Sequence, residues 1–177
     1  MKALHKLLLL SLVLLTFSCK KDPTSKADSD SYVKIKKNGT WITYAGLGEL
    51  GPDLGNASLT DLGVSGSSSD GKEVFNITIQ MDGPDLTTGT YLSDVYTPYV
   101  VDVSLTTGAA SALKYYDVED ALNKPSAKFI INVTSITSTQ ISGTFTGNYL
   151  YDDFSSGDPD GGVIAITEGE FKVKRIR

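Results

Sequence analysis

The chain has 177 residues, a formal net charge of −5 at pH 7, one histidine and one cysteine. Its only arginines are Arg175 and Arg177, so there is no basic stripe to neutralise phosphates, and the composition argues against nucleic-acid binding. His5 and Cys19 both lie near the start; beyond them the chain offers no imidazole or thiol for Ser-His-Asp or Cys-His catalysis or for zinc, copper or iron sites.

Residues 1–18 predict a secretory signal peptide. Lys2 and Lys6 precede a leucine-rich run over residues 7–15, which is shorter than the roughly 20 apolar residues that a membrane-spanning helix needs. A cysteine directly after such a segment resembles the lipobox of bacterial lipoproteins, in which the thiol takes a diacylglycerol and becomes the first mature residue. The resemblance implies a lipid anchor on Cys19; the alternative is an ordinary signal peptide followed by a free thiol.

The segment after Cys19 predicts a tether and then one folded domain. Residues 20–30 are rich in Ser, Asp, Lys and Pro and lack apolar periodicity, as is typical of flexible linkers. We therefore divide the chain into signal peptide (1–18), tether (19–31) and a single β domain (32–177), which is long enough to bury one hydrophobic core.

From Tyr32 onward the apolar residues recur with a period of two, which predicts half-buried strands. The clearest run is "EVFNITIQMD". The period returns in Tyr99–Leu105, in Phe129–Val133, and in Ile141–Tyr151, where Tyr149 and Tyr151 are assigned to the apolar side. Glycine, proline, aspartate and asparagine separate further predicted strands at residues 32–36, 40–45, 56–65, 89–93 and 111–116.

The last strand predicts an irregularity. Ile164 and Ile166 share a parity that Phe171 and Val173 do not. A one-residue bulge or a tight turn at Glu168-Gly169 would return all four to one face.

Roughly ten short strands predict an all-β fold: a single antiparallel β-sandwich of jelly-roll or immunoglobulin-like type, with a barrel as the alternative. At most one short helix is expected, within residues 117–125, with Asp117 as its N-cap and Pro125 beyond its end. The predicted core contains Phe75, Ile77, Ile79, Val101, Val103, Phe129, Ile131, Phe145 and Phe171.

Four landmarks carry a resemblance: "KKNGTWIT" (36–43), "LTTGTYLSD" (86–94), "ITSTQISGTFTG" (136–147) and "IAITEGEFKVKRI" (164–176). Together they resemble a family of small Bacteroidota lipoproteins of unknown function, which implies an anchored cysteine, a polar tether and one β domain but no catalytic residues. Lys21-Asp22 also resembles the signal for surface display in that phylum. The implied location is the outer membrane, on its periplasmic or its surface-exposed face.

An acidic segment near the C-terminus is the one candidate metal site. Asp152, Asp153, Asp158 and Asp160 could supply calcium ligands, but if Asp158 takes the third position of a calcium loop, Thr167 takes the twelfth, where a glutamate belongs. A hairpin loop is therefore the favoured interpretation, and we predict that the protein needs no metal or organic cofactor.

Tyrosines provide the one candidate ligand platform, made of Tyr96, Tyr115 and Tyr116, because aromatic rings can stack on sugars. If "LKYYD" is a strand, Tyr115 and Tyr116 point to opposite sides, one exposed and one buried. Trp41, the sole tryptophan, is expected in the core.

The sequence thus predicts a lipid-anchored, non-catalytic binding or structural module with a glycan or an envelope protein as its partner. The alternative is a carbohydrate-active hydrolase that uses two carboxyl groups roughly 5–10 Å apart. No carboxylate pair stands out in the sequence.

Overall fold

The computed structural model describes residues 31–52, 59–95, 98–109, 112–118, 128–152 and 162–176. None of these residues forms a helix, so none belongs to a helix that could cross a membrane. The candidate helix over residues 117–125 lies mostly outside the described ranges. The described strands are β1 (Tyr32–Lys37), β2 (Thr40–Pro52), β3 (Leu59–Ser67), β4 (Glu73–Met81), β5 (Gly89–Leu92), β6 (Tyr99–Thr107), β7 (Lys114–Asp117), β8 (Phe129–Ile136), β9 (Gln140–Gly147), β10 (Tyr149–Asp152) and β11 (Val163–Ile176).

Eight of these strands close into a barrel, in the order β1-β2-β3-β4-β6-β7-β10-β11. Closure occurs where β1 pairs antiparallel with β11, from Tyr32 opposite Lys172 to Lys37 opposite Ile166. The all-β prediction is confirmed in its barrel form, not as a sandwich, and the described strand pairs are antiparallel except for β2 with the end of β11, which are parallel. Closure gives the first and last strands of the domain a partner on both sides, which removes two exposed sheet edges.

The first hairpin is held by a two-residue turn. Asn38 and Gly39 both have positive φ, 49° and 82°. A two-residue hairpin turn whose twist matches that of its two strands requires positive φ at both positions. The backbone N–H of Asn38 donates to the Ala165 carbonyl oxygen at 2.8 Å, and the backbone N–H of Ala165 donates to Asn38 Oδ1 at 3.0 Å. The Asn-Gly turn therefore also ties the hairpin to β11.

Three further strands, β9, β8 and β5, extend the sheet from β11. Along β11, residues 169–174 pair with β9 and residues 163–165 pair with β10. Successive strands β9 and β10 thus run along one partner, and only a break at Asn148 separates them. On their other side β9 pairs with β8, and β10 pairs with β7.

A β-bulge sits at the barrel closure. Ile35 is opposite Gly169, but Lys37 is opposite Ile166, so two residues of β11, Thr167 and Glu168, face only Lys36. This extra residue lets Ile164 and Ile166 share the inner side with Phe171 and Val173, which confirms the predicted irregularity.

A matching change of parity occurs between β9 and β10. Phe145 is buried, as is Leu150, while Tyr149 is 41 % exposed. The prediction that Tyr149 and Tyr151 share the apolar side with Ile141 and Phe145 is therefore wrong. The break at Asn148 shifts the alternation by one residue, so Leu150 takes the inner position and the two tyrosines turn outward.

Apolar side chains fill the barrel interior. All nine residues predicted for the core are buried. The rings of Phe75 on β4 and Phe145 on β9 stack with centroids 5.4 Å apart, although their strands are not neighbours. An eight-stranded barrel is just wide enough for side chains to fill it, and here a side chain of β9 reaches the inner side of β4.

Trp41 is not in this core. It is 51 % exposed, whereas Ile42 packs against the core and Tyr44 is buried. Because side chains alternate along β2, placing Ile42-x-Tyr44 inward puts Trp41 on the outer wall. The expectation of core packing for Trp41 is wrong.

Substitution of Gly169 measures how tightly side chains fill the barrel interior. A Cβ there would overlap the Phe145 ring, whereas a Cβ at Gly63 on β3 would meet no atom within 4 Å. We expect Gly169→Ala to lower the free energy of unfolding by about 1–3 kcal/mol through overpacking, and Gly63→Ala to change it by less than about 0.5 kcal/mol. Urea denaturation of both variants checks this. Equal effects of the two substitutions would contradict a filled interior.

Candidate functional site

Two neighbouring tyrosines of β7 face opposite sides of the barrel wall, as predicted from their adjacent positions in a strand. Tyr116 is 8 % exposed and belongs to the core, while Tyr115 is 38 % exposed on the outer wall. Tyr116 pairs with Leu105 of β6 and Asp152 of β10, which fixes its side chain inward. Tyr115 remains a candidate ligand residue; Tyr116 does not. Tyr96 lies outside the described residues.

The strand beside β7 adds two more outward tyrosines. Tyr149 and Tyr151 of β10 lie on the same face, with ring centroids 6.5 Å apart and planes tilted by 58°. Tyr151 is paired across the strands with Asp117 of β7 and Val163 of β11. Val163 is itself 40 % exposed.

We call the outward side chains of Tyr115, Tyr149, Tyr151 and Val163 the tyrosine surface. They come from the adjacent strands β7, β10 and β11, so backbone hydrogen bonds on both sides of β10 hold their positions. Exposed apolar side chains are ordinary when single, but a contiguous group is typical of a contact surface. Each tyrosine combines an apolar ring with a hydroxyl that can donate and accept hydrogen bonds.

Comparison with protein-family models, with curated proteins and with solved structures finds no match to this chain. The resemblance to Bacteroidota lipoproteins therefore stays a prediction.

A hydrogen-bonded polar cluster of Lys37, Tyr44 and Glu73 lies inside one rim of the barrel. Lys37 Nζ donates to Glu73 Oε1 at 2.6 Å, and the Tyr44 hydroxyl donates to Glu73 Oε2 at 2.8 Å. Burial by itself would raise the pKa of Glu73, but the hydrogen bonds from Lys37 and Tyr44 outweigh it and hold that pKa below its usual value. Burial, followed by the bond to Glu73, raises the pKa of Tyr44.

This rim cluster is suited to closing the barrel rather than to acid catalysis. A glycosidase needs one carboxylic acid with a raised pKa to protonate the leaving group. Glu73 has the opposite shift. Its carboxylate stays ionised and bridges β1, β2 and β4 across the end of the interior.

A second rim carboxylate, Asp152, is the only described member of the predicted calcium candidates. Its side chain is 4 % exposed, and its Oδ2 lies 3.8 Å from Lys114 Nζ. Within the described ranges no group of three His, Cys, Asp or Glu residues could hold a metal ion. Asp153, Asp158 and Asp160 lie outside those ranges, as does Cys19, so the calcium and lipidation predictions stay untested.

Sequence reasoning missed Tyr149, Tyr151 and Trp41 as surface residues. The tyrosines follow "SGTFTGN", where a glycine and an asparagine end one run of alternation. Treating Asn148 as a break in the strand would have placed both rings outward. For Trp41, the available signal was the pair Ile42-x-Tyr44, because two inward residues at these positions leave Trp41 on the outer side of the strand.

The Glu73 cluster predicts how stability depends on pH. Since the folded-state pKa of Glu73 is lowered, its ionised form stabilises the fold above the usual glutamate pKa, and this contribution is lost as the pH falls through the folded-state value. We expect Glu73→Gln to destabilise the protein by about 1–2 kcal/mol at pH 7, with the difference from wild type shrinking below about pH 4.

Thermal unfolding across this pH range measures the effect. Glu168→Gln is the matched control, because the Glu168–Lys36 pair lies on the outer wall with the Glu168 side chain 51 % exposed, and such pairs contribute little. A Glu73→Gln deficit that is constant with pH would contradict the assignment.

Proposed function

We propose that this protein is a lipid-anchored, non-catalytic binding module that recognises a glycan through the tyrosine surface. The observation that carries the proposal is that Tyr149 and Tyr151 face outward together on β10, while Tyr115 faces the same side from the paired strand β7, diagonally across from Tyr151. A sugar has apolar C–H faces and a rim of hydroxyls. Tyrosine rings offer a matching apolar face, and their hydroxyls offer hydrogen bonds.

The filled interior supports an outer-wall site. Small-molecule sites are usually concave pockets, and barrels that bind ligands commonly do so inside. In this barrel the stacked Phe75 and Phe145 rings are part of a continuous core of buried apolar side chains. Its outer wall instead presents rigid aromatic groups, which lose little conformational entropy on contact.

The acidic composition supports a sugar rather than a nucleic acid as the stacking partner. Aromatic platforms that bind single-stranded nucleic acid work together with a basic groove. The chain carries 21 acidic against 16 basic residues. Stacking without a basic groove favours an uncharged, hydroxyl-rich ligand.

Binding should depend on the tyrosine rings. In a glycan array of neutral plant, fungal and bacterial oligosaccharides, we expect the purified chain to bind at least one class. Tyr149→Ala or Tyr151→Ala should weaken that binding about tenfold or more, because the stacking face is lost, and the corresponding phenylalanine variants should retain most of it.

Trp41→Ala is the control, since Trp41 is also a large exposed aromatic residue but lies on β2, which pairs with neither β7 nor β10. Loss of binding in Trp41→Ala alone, or full binding by both tyrosine-to-alanine variants, would refute this site.

The anchor has its own test. Cys19→Ala should abolish lipid labelling and move the protein from the membrane fraction to the soluble fraction or leave an uncleaved precursor. Cell fractionation with metabolic fatty-acid labelling measures both effects. Unchanged labelling in Cys19→Ala would show that Cys19 is not the lipidated residue.

A further inference from the structure

The hairpin of β1 and β2 extends past the end of the neighbouring strand β3. β2 pairs with β1 as far as Thr40, which lies opposite Lys37. Its pairing with β3 ends earlier, where Ala45 lies opposite Ser67. No described residue pairs with residues 40–44 of β2 on the β3 side, so these five residues form a free strand edge, which we call the β2 edge.

The backbone groups of Trp41 and Thr43 point to this free side. Successive residues of a strand direct their N–H and C=O groups to opposite neighbours. The N–H of Gly46 donates to the carbonyl oxygen of Ser31, directly before β1, at 3.4 Å. Even-numbered residues of this part of β2 therefore point to β1, and Trp41 and Thr43 direct their N–H and C=O groups away from it.

The sequence of the β2 edge favours pairing with another strand. It reads "TWITY", and threonine, tryptophan, isoleucine and tyrosine are all enriched in strands. Natural edge strands are usually protected by charged residues, proline or a bulge, and this segment has no charged residue and no proline. Its tryptophan, Trp41, is 51 % exposed. Such an edge is a template for strand addition.

The charges that flank the β2 edge are neutralised within the barrel. The ion pairs nearest to it are Lys34–Glu170 and Lys36–Glu168 at 2.6 Å and Lys72–Asp70 at 3.4 Å. Because each of these acids has a basic partner, a second copy of the edge meets little like-charge repulsion there, although the chain has a net charge of −5.

We propose that the β2 edge is a contact between two copies of this chain, which pair antiparallel about a two-fold axis at Ile42. In this register Trp41 of each copy lies opposite Thr43 of the other, and the N–H groups of these residues donate to the carbonyl oxygens of their counterparts. An aromatic and a β-branched residue directly opposite each other stabilise a sheet. A second copy is the favoured occupant because the edge is complementary to itself, as a two-fold contact requires.

The contact goes beyond the proposed function, because β2 pairs with neither β7 nor β10. It is also small, since a standard interface has about 20–30 residues a side. We therefore expect a reversible dimer with a dissociation constant of about 10 μM to 1 mM. Sedimentation velocity of the purified chain at increasing concentration measures this, in a Cys19→Ser background so that no lipid contributes to association.

Thr43→Pro tests the backbone contact. It removes an N–H that points away from β1, so the hairpin keeps its own hydrogen bonds, and proline is tolerated at such edge positions. We expect dimerisation to weaken about tenfold or more. Thr43→Val is the matched control, because it keeps the N–H and the β-branched shape and should dimerise within about twofold of the parent chain.

Trp41→Lys tests the edge without altering its backbone. It replaces an exposed ring by a charge of the kind that protects natural edges, and it should weaken dimerisation about threefold or more. Thermal unfolding of each variant, measured at a concentration where all are monomeric, separates loss of the contact from loss of the fold.

Disulfide trapping tests the register. Residues opposite each other in an antiparallel pair have Cα atoms about 4.5–5.5 Å apart, which a disulfide can bridge. A mixture of the Trp41→Cys and Thr43→Cys chains, both in the Cys19→Ser background, should therefore give more disulfide-linked dimer than either chain alone.

The outcomes separate the claims. A chain that stays monomeric up to about 2 mM, where the expected dimer would predominate, leaves the edge to a strand of a different protein and refutes the proposal. A dimer that neither Thr43→Pro nor Trp41→Lys weakens refutes the β2 edge as the contact. A dimer that the mixed cysteine chains trap no better than the single chains refutes the register.

Discussion

The closure of β1 onto β11 is the constraint on which the rest of the molecule depends. It requires β11 to pair with β1 on one side and with β9 and β10 on the other, and to keep apolar side chains inward along its length. The bulge at Thr167 and Glu168 meets that requirement. Gly169 beside the bulge leaves room for the Phe145 ring, which in turn stacks on Phe75 and fills the interior.

The same irregularity determines what the outer wall displays. The extra residue of β11 lies opposite the break between β9 and β10. At that break the alternation of inward side chains shifts by one residue, so that Phe145 faces inward before it and Leu150 after it. Tyr149 and Tyr151 consequently face outward, on the same wall as Tyr115 of β7. The tyrosine surface thus follows from how the barrel closes, since an uninterrupted β9–β10 strand would have buried both rings.

Period-two alternation predicted much of this fold because a filled interior enforces it residue by residue. It identified the core from Phe75 to Phe171 and the parity shift near Glu168. It could not decide between sandwich and barrel, because both alternate identically and differ only in whether β1 meets β11. It continued the alternation of β9 past Asn148, which wrongly put Tyr149 inward. Trp41 was assigned to the core because large aromatic residues are common there, but the register of β2 puts it outward.

The central claim is that a filled barrel recognises its ligand on the outer wall of β7, β10 and β11. The most direct measurement is an NMR titration of the protein with its best neutral oligosaccharide, following backbone amides and isoleucine, leucine and valine methyl groups. We expect shifts in the amides around Tyr115, Tyr149, Tyr151 and Val163, with the interior methyls of Ile77, Val103 and Ile131 unchanged. Large shifts confined to those interior methyls would place the ligand inside the barrel and contradict it.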